Sequence, residues 1–152
     1  METLFTATYS IAVGIWVGAI VFQSAVVAPS VIDVLRGHAA GMLLRRLFPR
    51  FYRLGLACGA AMITAVIALS LLGSLTTAGR TIAVLSTVMI VMQAMSLWLV
   101  PHINAARDAG LAGARRFSRL HSISVGITLL VLLLGLSSLV MASGRSLLAG
   151  IS

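Results

Sequence analysis

His102 and His121 are the side chains in this 152-residue chain best suited to chemistry. They close a polar stretch, Pro101–His121, that also holds Asn104, Asp108 and four arginines. Two imidazoles on facing helices can hold a haem iron or a transition metal. The competing reading is a pair of hydrogen-bonded histidines at helix ends near a membrane edge, and it is preferred because no third ligand is evident. If residues 115–124 are helical, Phe117, Leu120, His121 and Ser124 follow an i, i+3, i+4, i+7 pattern, which puts His121 on the apolar face.

Three other sets of residues have types that matter. Asp33 and Asp108 are two of only three acids in the chain, and both sit among arginines. A carboxylate at a membrane edge needs a cationic partner, and Arg36 and Arg107 are the candidates. A clamp between two polar segments is preferred to a proton relay. Met89, Met92 and Met95 recur every third residue and could bind a soft ion, but Met is also the usual filler of apolar cores. Packing is the preferred reading. Gln23 and Gln93 lie inside apolar runs, where an amide needs a partner, either across a bundle or at a small polar cavity. No phosphate loop, nucleophile elbow, cysteine pair or H-E-x-x-H is present, and the reading leans away from an enzyme.

The elements that must position these residues follow from composition. The mean hydropathy is +1.11, with 60% hydrophobic and 9% charged residues. Soluble chains carry about a quarter charged residues, so the bilayer is the main solvent. Four apolar runs reach the roughly 20 residues that a spanning helix needs. They cover about 9–28, 54–75, 82–100 and 122–142. They are too long, and alternate too little, for barrel strands. The expected fold is all-α, an integral membrane four-helix bundle forming a single domain over residues 1–152. The first run is read as a retained span and not a cleaved signal, because the residues before it carry no basic side chain and Glu2 is acidic. The single cysteine, Cys58, is expected to be buried and inert.

All eleven basic residues are arginines, and their placement sets orientation. Arg36, Arg45, Arg46, Arg50 and Arg53 lie between the first two runs, and Arg107, Arg115, Arg116 and Arg119 between the last two. Only Arg80 and Arg145 lie on the other side. By the positive-inside rule the two basic segments face the cytoplasm and both termini face outward, as in a bacterial inner membrane. The sequence pI near 11.8 therefore reflects topology, and nucleic acid is not an expected partner. The segment between the first two runs mixes Val31, Leu35, Met42, Leu44, Leu47 and Phe48 with arginines. It is expected to lie as an amphipathic interfacial element against anionic headgroups, divided at Gly37 and Gly41 and kinked or restarted at Pro49. Pro49, Phe51 and Tyr52 are expected to dock near the start of the fourth span. Gly14 with Gly18, and Gly55 with Gly59, form two G-x-x-x-G pairs that suit close helix packing, within the chain or between copies.

Four motifs in order resemble a known family: WVGAIVFQSAVVAP (Trp16–Pro29), AGMLLRRLFPRFY (Ala40–Tyr52), PHINAAR (Pro101–Arg107) and FSRLHSIS (Phe117–Ser124). The chain resembles the transmembrane-protein-205-like family, whose bacterial members form the domain of unknown function 4149. The matching residues are Trp16, Gly18, Pro29, Gly41, Phe48, Pro49, Pro101, Arg107, Phe117 and His121, while His38 and His102 fall outside the pattern. The resemblance implies four spans and carries no activity with it. Two functions are expected in order. The first is a non-enzymatic bundle acting in a homo-oligomer or larger membrane complex, or in passage of a small or hydrophobic solute. A cytoplasmic cluster of Arg107, Asp108, His121, Asp33 and Arg36 would serve there as a gate, a headgroup site or a partner surface, with no bound cofactor. The second is a haem- or metal-binding redox protein that uses His121, with His102, as ligand.

Overall fold

A computed structural model of the chain describes residues 1–35 and 37–149, with side chains as far as Ala142. Every regular element is helical. Helix α1 (Glu2–Phe22) continues through a π-helical turn, Gln23–Val27, into α2 (Ala28–Leu35). The others are α3 (Gly37–Leu71), α4 (Thr77–Asp108) and α5 (Gly110–Ala149). Four helical stretches are long and apolar enough to cross a bilayer, so the protein is an integral membrane protein.

The burial pattern agrees with that solvent. Ile11, Ile15, Val84, Val91, Leu129 and Val140 are exposed, whereas Ser86, Gln93, Ser96, Ser124 and Ser138 are buried. In lipid the hydrophobic effect does not drive helices together. Small residues and interhelical hydrogen bonds do, and the polar groups therefore turn inward. Helix α1 lies beside α3 and α5, and α4 lies beside the same two, which leaves α1/α4 and α3/α5 as the diagonals of a square. The centre is filled by Val13, Trp16, Met62, Met89 and Val131, each fully buried.

Gly55 and Gly59 make the approach of α1, α3 and α4 possible. A Cβ on Gly55 would stand 2.7 Å from Trp16 Nε1, and one on Gly59 would stand 3.2 Å from Trp16 Cζ3. The Gly14/Gly18 pair is different, for a Cβ on either meets nothing within 4 Å. One motif thus packs the chain against itself, and the other faces outward.

The helices outrun the four apolar runs, and here the structure departs from expectation. The Arg-bearing segment after Gly37 is continuous with the second span. It is the first half of a 35-residue helix that ends in the second span. Gly37 does break the chain, at φ +64°, but Gly41 and Pro49 lie within α3. Residues 42–47 are good helix formers, with only Gly41 before them and Pro49 after them to weaken the helix ahead of the span. The polar stretch Pro101–His121 is likewise almost all helix. Its turn shrinks to Ala109, after which Gly110 opens α5 at φ +58°, a backbone conformation that glycine adopts without steric cost. Residues 72–75, assigned to the second span, belong to the turn before α4. There Gly73 has φ +72°, Thr76 caps α4 through Gly79, and the Ser74 hydroxyl donates to Glu2.

Candidate functional site

The polar residues gather in two places, the basic end of the bundle and a column inside it. At the basic end Arg107, in the last turn of α4, is half-buried and has two contacts. Its Nη1 donates to the Gly41 carbonyl at 3.5 Å, and its Cζ lies 4.9 Å from the centre of the Phe117 ring. A guanidinium over an aromatic face is attracted by the ring quadrupole. Phe117 in turn stacks on His121, with ring centres 5.7 Å apart and planes 4° from parallel. Arg107, Phe117 and His121 therefore form one stack that joins α4 to α5.

The next residue, Asp108, takes a different partner from the one expected. Arg45 Nη2 donates to Asp108 Oδ1, so α3 and α4 are tied by an ion pair, and Arg107 is not the partner. Arg45, four residues after Gly41 on α3, reaches the helix end where Asp108 is exposed. The Arg45 hydrogen bond, together with the charges of Arg45, Arg107 and His38, holds the Asp108 carboxyl below its usual range despite slight desolvation. Asp33 is exposed on α2 and has no ion pair among the described residues, and Arg36 lies outside them. Of the five residues expected to cluster, Arg107 and His121 are joined only through Phe117, Asp108 pairs with Arg45, Asp33 stands apart, and Arg36 lies outside the described residues.

His121 itself corrects the helical-face expectation. Ser124, Ile127 and Val131 form the buried stripe of α5, with Phe117 and Leu120 partly buried beside it, while His121 is exposed. His102 is partly exposed. Its Nδ1 lies 3.0 Å from the Trp98 carbonyl, and its ring lies 4.3 Å from the Trp98 ring. Each imidazole thus packs against an aromatic ring of its own helix, His121 stacked on Phe117 and His102 tilted against Trp98. Among the described residues no three of His, Cys, Asp and Glu gather as a metal site would need. The methionine stripe also divides, since Met89 is buried and Met95 is exposed.

The internal column is built on Tyr52, Gln93 and Trp16. The Tyr52 hydroxyl and Ser124 Oγ are 3.0 Å apart, a bond across the α3/α5 diagonal. Gln93 Nε2 donates to the Tyr52 carbonyl at 3.4 Å. The same nitrogen and Trp16 Nε1 both press against Gly55. Tyr52, in the FPRFY segment, therefore docks on the membrane-entry turn of α5. Toward the opposite end Tyr9 and Ser86 are 3.1 Å apart, which bridges the other diagonal, α1/α4. The two glutamines differ. Gln93 is bonded across the bundle, whereas Gln23, also buried, has no partner for its Nε2 among the described residues. Gln23 opens the π-helical turn, a local widening that no sequence pattern announced. Neither Tyr–Ser bridge was foreseen from sequence. The available signal was a hydroxyl-bearing residue facing inward from an otherwise apolar span.

A family described as a domain of unknown function (DUF4149) matches residues 11–112. The chain belongs to this family. No curated protein and no solved structure is significantly similar to it. The DUF4149 match runs from Ile11 in α1 to Ala112 at the start of α5. It includes Trp16, Tyr52, Gly55, Gln93, Arg45, Arg107 and Asp108, and it stops short of Phe117, His121 and Ser124. The internal column and the ion pair are thus within the DUF4149 region, except for the partners that α5 supplies. The family description assigns no activity.

Proposed function

We propose that this DUF4149 protein is a non-enzymatic bundle of the bacterial inner membrane that works as a subunit of a membrane assembly, docking through its arginine-rich cytoplasmic end. The observation that carries this reading is exposed apolar surface at the tips of the basic hairpins. Val34 is 79% exposed and Leu111 97% exposed, with Ile32 and Met42 also open. From Gly37 to the start of the second apolar run at Leu54, α3 rises about 25 Å. The headgroup layer is only about 5–7 Å deep, and ordinary tilt shortens the projection little. Apolar side chains at the tips therefore stand beyond the headgroups, where a protein partner is the cover that fits. Arg46, Arg115 and Arg116, on the same two basic segments, are all exposed and favour a partner with acidic residues at its rim.

The nine-to-two arginine bias supports the cytoplasmic placement of this end, and the four ordered motifs support kinship with the transmembrane-protein-205-like proteins. Passage of a solute through one copy is less well supported, because the bundle axis is filled by Trp16, Met62, Met89 and Val131 and crossed by both Tyr–Ser bridges. In such a role the path would run between copies. The test is size. The full chain, extracted from its own membrane in mild detergent, is expected to migrate well above its 15.9 kDa. Val34→Glu with Leu111→Glu should reduce it to a single copy. A wild-type protein that migrates as one copy, identical to the variant, contradicts the proposal.

A further inference from the structure

We propose that the groove between α1 and α3 is a lipid site, which takes one acyl chain of an anionic glycerophospholipid and binds its phosphate through Arg50 and Arg53. The groove has a volume of about 370 Å³, opens broadly to its surroundings, and is lined by Ile11, Ile15 and Leu54 with the small residues Ala12, Ala57 and Ala61 between them. It carries no charged side chain. From Leu54 to Ala61 it runs seven residues along α3, about 10 Å, most of the roughly 15 Å depth of one leaflet's hydrocarbon. A hydrocarbon chain can lie along such a groove, and the arginines beside it favour an anionic lipid over a second copy of this arginine-rich chain as its occupant.

The charge lies where a phosphate would need it. Arg50 precedes Leu54 by four residues, and Arg53 precedes Ala57 by four, so each arginine stands one turn from a groove residue. Both are exposed, and among the described residues neither is in an ion pair, since Asp108 is taken by Arg45. Long arginine stems at the edge of the hydrocarbon reach toward the headgroups, and there each guanidinium can bind phosphate oxygens. The inference rests on the reading that this end meets the cytoplasmic leaflet.

Trp16 reports on the groove, because its ring reaches Gly59, the neighbour of groove-lining Cys58, while the chain's other tryptophan, Trp98, is exposed. The full chain carrying Trp98→Phe is placed in phosphatidylcholine vesicles containing about one fifth phosphatidylglycerol, with bromine on the chains of one lipid or the other. Brominated phosphatidylglycerol is expected to quench Trp16 far beyond its share of the bilayer. Adding Arg50→Gln and Arg53→Gln should weaken that preference about thirtyfold, from roughly fivefold per guanidinium near an anionic surface. Ala57→Leu with Ala61→Leu should remove quenching by both lipids, and Arg80→Gln should change nothing. Quenching in proportion to bulk composition overturns the site. So does an unchanged preference in the double glutamine variant, and so does a groove covered by a second copy, seen as cross-linking between positions 57 of two chains. If impermeant labelling still places residue 46 inside, the site alone has failed. If it places residue 46 outside, the docking reading has failed.

Discussion

Replacing Gly55 by alanine should damage the bundle, and the same change at Gly14 or Gly18 should not. A Cβ on Gly55 would lie 2.2 Å from Gln93 Nε2, 2.8 Å from Gln93 Cδ and 2.7 Å from Trp16 Nε1. Trp16 is fully buried and Gln93 is 2% exposed, so neither can swing into open space. Overpacking of this kind costs about 1–3 kcal/mol. Moving Gln93 also breaks its bond to the Tyr52 carbonyl, which is about 1 kcal/mol more. Alanine returns about 1 kcal/mol of helix propensity. The net loss is about 1–3 kcal/mol. At Gly14 and Gly18 nothing lies within 4 Å of the new methyl, so only the propensity gain of up to about 1 kcal/mol remains. The assay is unfolding of the purified protein in mixed micelles by increasing sodium dodecyl sulfate, followed by far-ultraviolet circular dichroism. The reasoning is refuted if Gly55→Ala is as stable as wild type, or if Gly18→Ala is the more damaging change.

Tyr52→Phe should cost about 1–3 kcal/mol, because it leaves the buried Ser124 hydroxyl without its cross-bundle partner, and Tyr9→Phe should cost less, about 0.5–1.5 kcal/mol, because Ser86 keeps its bond to the Ile82 carbonyl. In the same assay, a Tyr52→Phe/Ser124→Ala cycle should show a coupling of at least about 0.5 kcal/mol, and strict additivity would contradict the bridge. Asp108 ionises more readily folded than unfolded. Its pair with Arg45 therefore contributes above the ordinary carboxyl range and is lost as pH falls through the lowered folded value. Wild type and Asp108→Asn should differ slightly at neutral pH and converge in acid, the small size following from the exposure of the pair. Protein made with ample haem and iron should show no Soret band, since His102 and His121 pack against separate aromatic rings of their own helices. A band lost in His121→Ala would restore the redox reading.

The four spans were legible because about 20 apolar residues in a row have one common solution in a bilayer. The lengths of the helices were not legible. Apolar content marks where a helix meets lipid, whereas the helix itself continues through residues 37–53 and 101–108 as long as its residues favour it. The two glycine pairs have the same spacing, and spacing does not say which face of a helix meets a neighbour. The contact of Gly55 with Trp16 decides that, and it is tertiary. His121 shows the same difficulty, since one residue of helical register separates it from the buried Ser124 stripe. Arg45 rather than Arg107 holds Asp108 because Arg107 is drawn to Phe117 and the Gly41 carbonyl. Gln93 was readable as a cross-bundle amide, but its partner, a backbone carbonyl of α3, was not.

The central claim is that the arginine-rich end, with its Arg45–Asp108 pair and its exposed tips, faces the cytoplasm. Single cysteines at positions 46, 74 and 112, in a Cys58→Ser background, test it through labelling of intact spheroplasts with a membrane-impermeant maleimide. Position 74 is expected to label at once, and positions 46 and 112 only after the membrane is permeabilised. Labelling of position 46 or 112 in intact spheroplasts, with position 74 protected, would contradict the account.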